Sequence, residues 1–178
     1  KKMIPILESL RPKDWIKNIF IYAGAVFAQK LLLPGILTKV SVGFLLFSLA
    51  ASSVYLFNDC KDIRQDRLHP HKAKRPIPSG SIKQKEALVI AVIMNGLVLP
   101  LAFYLNVGFA LWVLVYLGLN VLYTLKLKHL FIIDVVSIAA GYVIRVMAGC
   151  SLVALTPSIW LIICTFTLAL FLSFCKRR

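Results

Sequence analysis

Long apolar stretches separated by short polar connections limit what this chain can fold into more than any other feature. Six stretches qualify as membrane spans: roughly 16–33, 40–57, 87–105, 108–125, 131–149 and 157–175. A helix needs about 20 mostly apolar residues to cross the hydrocarbon core, where every backbone amide must bond within its own segment. The sequence therefore predicts an all-α, polytopic membrane helical bundle of about six transmembrane helices. Its first span is the weakest, because Lys17, Asn18 and Lys30 interrupt it.

The basic residues are distributed unevenly between the two sides of the predicted membrane. Eighteen of the 21 Lys and Arg residues fall on the side of the N-terminus, whereas only Lys30 and Lys39 fall on the other. Because short cytoplasmic loops are enriched in Lys and Arg, we expect the N-terminus and residue 178 to be cytoplasmic. The net charge of +14 is then loop charge of a protein embedded in a lipid bilayer, and no nucleic-acid partner is expected.

One connection, from about 58 to 86, is long and polar, which favours a functional cytoplasmic loop. It begins with four oxygen-bearing side chains, Asn58, Asp59, Asp62 and Asp66. If the preceding helix continues, a rotation of about 100° per residue places all four within an arc of roughly 100°. Like charges held this close need a counter-cation, and carboxylate and amide oxygens suit Mg²⁺ completed by substrate phosphates. The alternative is a solvated helix end whose aspartates pair with the basic residues beside them.

A basic, proline-rich run follows the acidic residues. Three prolines and Gly80 restrict its backbone, so that Lys72 and Arg75 form a preorganised anion site rather than a flexible tail. Arg and Lys beside a divalent cation are typical of a site for a diphosphate. The alternative is that these charges only set the membrane topology.

Two later segments bring further candidates. Tyr123 and Lys126, three residues apart at the end of the fourth span and followed by Lys128, are predicted to share a face. An interfacial tyrosine with topology lysines is the alternative. The fifth span holds Asp134 and Arg145, which are functional candidates because ionisable groups are costly inside a membrane. They are about 16 Å apart along a helix, too far to pair directly, and a purely structural buried network is the alternative.

The motif Asn58-Asp59-x-x-Asp62-x-x-x-Asp66, followed by Arg75-Pro-x-x-Ser-Gly, resembles the first signature of the UbiA superfamily of intramembrane prenyltransferases. Tyr123-x-x-Lys126 resembles a second feature of that superfamily. The start Arg11-Pro-Lys-x-Trp15-x-Lys17-Asn18 and the loop His69-Pro-x-Lys72 are most similar to its decaprenyl-phosphate phosphoribosyltransferase branch. The resemblance implies a fold of nine helices around a cavity open to lipid. Residues 1–178 would be a single, C-terminally truncated membrane domain with six of those helices.

The resemblance also implies a reaction, in which a 5-phosphoribosyl group passes from phosphoribosyl pyrophosphate to a polyprenyl phosphate and pyrophosphate is released. The implied location is a bacterial inner membrane, with the active site facing the cytoplasm. The implied ligands of Mg²⁺ are Asn58, Asp62 and Asp66. The implied catalytic residues are Asp59, Asp62, Asp66 and Lys126. The implied substrate-binding residues are Lys17, Asn18, Lys72, Arg75, Tyr123, Lys128, Arg145, Lys176 and Arg177.

Two other functions compete with this interpretation. The nearer is a prenyltransferase of the same superfamily that moves a prenyl group from a prenyl diphosphate to an aromatic acceptor, since the acidic motif serves both reactions. The other is a Mg²⁺ transporter or channel, which would need acidic residues along a path through the bilayer. Asp134 is the only acidic residue that lies within a predicted span.

The charge distribution predicts that the loop from 58 to 86 lies in the cytoplasm. A cysteine placed at Ser81, in a chain whose own cysteines are replaced, should react with a membrane-impermeant reagent only after the cells are opened. A cysteine at Lys39, on the opposite side, should react in intact cells. Labelling of the Ser81 position from outside would reverse the orientation.

Overall fold

Helices are the form in which a single apolar segment can satisfy its own backbone. The computed structural model describes residues 3–175 and contains no strand within that range. Its α-helices are α1 Met3–Ser9, α2 Ala23–Phe27, α3 Ile36–Lys61, α4 Ile63–Leu68, α5 Gln84–Leu105, α6 Val107–Leu125, α7 Phe131–Leu152 and α8 Ile159–Cys175. Its 3₁₀ helices are Pro12–Tyr22, Lys72–Lys74 and Leu127–His129. The predicted all-α membrane bundle is confirmed.

Four of these helices are long and apolar enough to cross a membrane. They are α3, α5, α6 and, over Ile132–Leu152, α7. Each coincides with one of the spans expected from the sequence. Helix α8 is equally apolar but has 17 residues, which places it at the short end for a span. The total of six spans stays a prediction.

The first expected span has a different local structure from the others. It begins as a 3₁₀ helix, Pro12–Tyr22, and continues as the short helix α2. Pro12 occupies the first turn, where its missing N–H costs nothing. Eleven residues is long for a 3₁₀ helix, in which side chains at i and i+3 are eclipsed along one side. Asn18 and Ile21, three residues apart, are therefore buried on the same side.

Helix α3 lies at the centre of the bundle. The apolar, membrane-spanning part of α3 is 61% buried, whereas that of α5 is 17% buried. Helix α3 contacts α5, α6, α7 and the 3₁₀ helix Pro12–Tyr22. Phe47 of α3 is fully buried, and its ring centroid lies 4.7 Å from that of Tyr116 and 6.5 Å from that of Phe109. Helix α5 leaves large apolar side chains such as Val92 exposed, as expected for a helix that faces lipid.

A close backbone contact joins α7 to the N-terminal segment. A Cβ atom added at Gly149 would lie 1.9 Å from the carbonyl oxygen of Ile21, so only glycine permits this approach. Small residues at helix interfaces serve this purpose in membranes. Arg145 is one turn before Gly149, and Asn18 is one 3₁₀ turn before Ile21. The same close contact therefore brings Arg145 to Asn18, and their side chains are hydrogen-bonded at 2.8 Å.

The long polar connection is partly helical. Helix α3 continues past Asn58 to Lys61, and α4 follows after the single residue Asp62. Irregular backbone begins at His69 and lasts until α5 starts at Gln84, apart from the 3₁₀ turn of Lys72–Lys74. Asp59 and Asp66 thus lie on helices that extend out of a predicted span and Asp62 lies between these helices, whereas Lys72 and Arg75 lie in the loop that follows.

We expect Gly149→Ala to lower stability by about 1–3 kcal/mol, because the added methyl group forces α7 away from the backbone at Ile21. Gly118→Ala is the matched control, since nothing lies within 4 Å of its added Cβ in α6, and it should be neutral or slightly stabilising. Thermal unfolding of both variants in detergent measures the difference. Equal melting temperatures for the two variants would refute the close contact.

Candidate functional site

Asp59 and Asp66 share one guanidinium group. Arg75 Nη1 lies 3.2 Å from Asp59 Oδ1 and 3.1 Å from Asp66 Oδ2. Arg11 Nη2 lies 2.5 Å from Asp59 Oδ1, and Lys72 Nζ lies 3.7 Å from Asp66 Oδ1. Both aspartates are only 4% exposed, and buried carboxylates are stable only when cations or hydrogen bonds satisfy them. Arg75 therefore joins the basic loop to the end of α3 and is itself neutralised by two carboxylates, and the anion site at Lys72 and Arg75 stays a prediction.

Asn58 and Asp62 have other partners. Asp62 is paired with Lys128, and the Asn58 side-chain oxygen accepts a hydrogen bond from Thr124. Among residues 3–175, no three carboxylate, histidine or cysteine side chains lie close enough together to hold a metal ion. The expected convergence of all four oxygen-bearing side chains is therefore not the arrangement present here. Like charges repel, and each carboxylate has a basic side chain as its neighbour instead.

Arg11 is the main residue that sequence reasoning missed. It entered the prediction only as the first residue of the N-terminal motif and was given no role in the site, yet it pairs with Asp59 and its guanidinium carbon lies 5.1 Å from the centre of the Tyr55 ring. Its backbone is left-handed, with φ 51° and ψ 60°, a conformation that is uncommon for a residue other than glycine. Nothing local in the sequence links Arg11 to a partner 48 positions later.

A polar cavity of about 530 Å³ opens beside the acidic residues. It lies between α3, α6, α7, α8 and the 3₁₀ helix Pro12–Tyr22. Its polar and charged lining includes Lys17, Asn58, Asn120, Tyr123, Asp134 and Arg145. Because Asn58 lines the cavity and is next to Asp59 in sequence, the cavity and the acidic residues adjoin.

Arg145 is a buried cation in the wall of this cavity. It is 5% exposed, and it donates to Asn18 Oδ1 at 2.8 Å, to the Gly141 carbonyl at 2.6 Å and to Tyr116 Oη at 3.2 Å. Its guanidinium carbon also lies 5.5 Å or less from the ring centres of three aromatic side chains, Phe47, Tyr116 and Tyr142. Its described partners are neutral, so the charge of Arg145 is stabilised by dipoles and aromatic rings.

Asp134 lines the same cavity on the same helix. Tyr123 Oη donates a hydrogen bond of 2.6 Å to Asp134 Oδ1, and the aspartate is 7% exposed. Asp134 and Arg145 form no ion pair with one another in the described part of the chain, as the helical spacing predicted. Tyr123 thus belongs to the cavity, whereas the alternative of an interfacial belt would place its hydroxyl in the headgroup region.

Lys126 does not share the face of Tyr123. Helix α6 ends at Leu125, and Lys126 has φ −136° and ψ −48°, so the helical spacing no longer applies to it. Its side chain is exposed and is absent from the cavity lining. Lys128, two residues later, reaches Asp62 instead. The shared face was wrong because the helix ends one residue too early.

The two N-terminal candidates have different surroundings. Lys17 lines the cavity and also lies 2.6 Å from Asp14. Asn18 is buried behind the cavity wall, where it bonds to Arg145 and donates to Ser48 Oγ at 2.9 Å. Asn18 therefore positions Arg145 and does not line the cavity. The remaining candidates, Lys176 and Arg177, lie outside the residues that the structure describes.

Comparisons with known proteins agree on one family. The model of the UbiA prenyltransferase family matches residues 18–176. The decaprenyl-phosphate phosphoribosyltransferase of Mycobacterium tuberculosis is 34% identical over an alignment of 180 positions, which covers 97% of this chain and 58% of that enzyme. The protein of the same name from Mycolicibacterium smegmatis is 32% identical over 176 residues, 97% of this chain and 55% of the relative. The chain thus spans somewhat more than half the length of these relatives.

A solved structure shows the same architecture. A UbiA homolog from Archaeoglobus fulgidus, bound to DMAPP and Mg²⁺, superposes with a TM-score of 0.81 at 25% identity. The superposition covers 93% of this chain and 60% of that structure. The arrangement of helices around the cavity is therefore that of a known membrane fold.

We expect Arg145→Lys to destabilise the protein by about 1–3 kcal/mol, because one ammonium group cannot replace a guanidinium that donates to three acceptors and leaves buried acceptors unpaired. Lys126→Arg is the matched control, a conservative exchange of an exposed cation. Melting temperatures in detergent measure both. If both variants had the melting temperature of the wild type, the hydrogen bonds of Arg145 would not stabilise the cavity wall.

Proposed function

Because the chain belongs to the UbiA prenyltransferase family, we propose that its protein transfers a 5-phosphoribosyl group from phosphoribosyl pyrophosphate to a polyprenyl phosphate. The observation that carries the proposal is the meeting of four cations, from three separate parts of the chain, with three aspartates beside a polar cavity. These cations are Arg11, Lys72, Arg75 and Lys128. Such an arrangement suits a diphosphate bound with a divalent cation. The names of the relatives support the phosphoribosyl donor.

The donor atoms of the acidic residues fit Mg²⁺. Carboxylate and amide oxygens are its usual protein ligands, completed by substrate phosphates and water. In the proposal, Asn58, Asp62 and Asp66 hold the ion, and Asp59 assists them. When bound, Mg²⁺ supplies positive charge that neutralises the leaving diphosphate. Mg²⁺ bound to the Archaeoglobus fulgidus homolog supports this assignment.

The basic side chains bind the phosphate groups of the donor. Lys72 and Arg75 already contact the carboxylates. A diphosphate bound beside those carboxylates would therefore contact both basic side chains. Lys128, on the connection after α6, adds a cation through its pair with Asp62. Lys126, exposed on the same connection, is proposed to contact a phosphate of the bound donor. A guanidinium can hold two phosphate oxygens at once, which fixes orientation as well as charge.

The transfer itself needs little proton chemistry. An anionic oxygen of the lipid phosphate attacks C1 of the ribose, while the bond from C1 to the diphosphate oxygen breaks and its electron pair leaves with pyrophosphate. Because the attacking oxygen is already ionised, no strong general base is required. The residues of this chain therefore act by positioning and by electrostatic stabilisation.

The polar cavity is the proposed place of the reacting ends of both substrates. Lys17, Tyr123 and Arg145 line it, and two of them are cations that attract phosphate groups. Asn18 acts by orienting Arg145. The proposed location is a bacterial inner membrane, with this site on the cytoplasmic side, as the charge distribution predicts.

We expect Arg75→Ala to raise the KM for phosphoribosyl pyrophosphate about ten- to a hundredfold, because a charge-assisted contact to phosphate contributes about 1.5–3 kcal/mol. The KM for the lipid should change little. Lys74→Ala is the matched control, since Lys74 is an exposed neighbour outside the ion pairs described above. Steady-state kinetics of the full-length protein in lipid, with both substrates varied, measure these constants.

Two outcomes would contradict the proposal in different ways. An unchanged donor KM with a raised lipid KM would assign Arg75 to the lipid phosphate. Wild-type protein that consumes a prenyl diphosphate and an aromatic acceptor, but not phosphoribosyl pyrophosphate, would replace the proposed reaction with the prenyltransferase alternative.

A further inference from the structure

A second concave site, to which α4 contributes Ile63, Arg64 and Arg67, has no role in the proposed reaction. This basic pocket has a volume of about 620 Å³. It is lined by Cys60, Lys61, Ile63, Arg64, Arg67, Ile77, Gly80, Ile82, Lys83 and Gln84. Its floor is apolar, with Cys60, Ile77 and Ile82 each 5% exposed or less. Its sides carry four cations.

The cations of the basic pocket and the aspartates occupy different faces of one helical segment. At about 100° per residue, Lys61 lies about 160° from Asp59 on α3, and on α4 Arg64 and Arg67 lie about 160° and 100° from Asp66. The ion pairs described above join those aspartates to Arg11, Lys72 and Arg75. None of these pairs involves any of the four cations of the basic pocket. The pocket therefore presents positive charge that the active-site carboxylates do not neutralise.

The position of the basic pocket along the membrane normal narrows the choice of ligand. Lys61 is the last residue of α3, and Gln84 is the first residue of α5. Both helices are long enough to span a membrane, so the pocket lies where two spans leave the hydrocarbon core. This is the depth of lipid headgroups.

Two further features favour a lipid over a soluble anion. Leu68 is 88% exposed, and it lies one turn after Arg64 on α4, where it can insert among lipid chains. Arg67 Nε donates to the Pro78 carbonyl at 3.0 Å, which fixes one pocket cation across the loop. An apolar floor, an exposed leucine and a fixed guanidinium match the phosphate and upper acyl chain of one lipid.

We propose that this basic pocket binds the phosphate headgroup of an anionic phospholipid of the surrounding leaflet. Basic pockets between spanning helices on the cytoplasmic side are suited to such headgroups. The proposal is independent of the transfer reaction, since it concerns Lys61, Arg64, Arg67 and Lys83 and none of the residues placed at the candidate active site. Bound lipid would brace the loop through Arg67 and Pro78.

The test uses the full-length protein in nanodiscs made of phosphatidylcholine with phosphatidylglycerol. Native mass spectrometry after mild delipidation counts the phosphatidylglycerol molecules that stay bound. Each headgroup cation contributes about a fivefold preference, so Arg64→Gln with Arg67→Gln should lower retention roughly tenfold or more. Lys74→Gln with Lys85→Gln removes the same charge from exposed positions outside the pocket and should retain the lipid.

Several outcomes would overturn the proposal. They are equal retention of phosphatidylcholine and phosphatidylglycerol by the wild type, equal losses in the pocket variant and the control, or displacement of the lipid by millimolar inorganic pyrophosphate. The last would identify the pocket as a soluble-phosphate site. If the first variant does not fold, Lys61→Gln with Arg64→Gln leaves the Arg67 bond to Pro78 intact and must show the same selective loss.

Discussion

The bond between Arg75 and two buried aspartates holds the candidate site together. Asp59 ends a spanning helix, Asp66 belongs to the short helix after it, and Arg75 comes from the irregular loop. Without Arg75, two carboxylates at 4% exposure would each keep one basic partner, Arg11 for Asp59 and Lys72 for Asp66, to compensate for their lost hydration. Arg11 and Lys128 extend the same neutralisation to the N-terminal segment and to the connection after α6. Four separate parts of the chain thus meet at one end of the bundle.

Deeper in the bundle, neutral groups replace ion pairs. Arg145 has Asn18, a backbone carbonyl and aromatic rings as partners, and Gly149 provides the close backbone approach that brings Asn18 within reach. A guanidinium is less strongly hydrated than an ammonium and its flat faces stack on rings, so arginine tolerates such a place better than lysine. The charge of Arg145 is therefore stabilised in the cavity wall by hydrogen bonds, aromatic rings and packing.

The sequence predicted features that depend on local periodicity and composition. It located the apolar helices, the acidic residues at the end of the second predicted span and the basic loop, because hydropathy and spacing act over a few turns. It missed Arg11, since its partner Asp59 is distant in sequence. It also placed Lys126 on the face of Tyr123, because a helix end one residue earlier leaves no mark in the spacing. The sequence predicted that Asn58, Asp59, Asp62 and Asp66 converge on one face and need a counter-cation such as Mg²⁺. In the structure, basic side chains neutralise the three aspartates instead.

This pre-existing neutralisation has a thermodynamic consequence for ligand binding. Mg²⁺ alone would have to displace Arg75 and Lys128 and leave them without anions, while diphosphate alone would withdraw those cations and leave the aspartates bare. When both ligands bind together, every ion pair can be replaced. The carboxylates then bind the metal, and the basic side chains bind the phosphate groups. In the proposed function, each ligand should therefore strengthen the binding of the other by the same factor, as linkage requires. The ligand-free protein would then bind Mg²⁺ alone or diphosphate alone only weakly. It would bind the metal–diphosphate complex as one ligand.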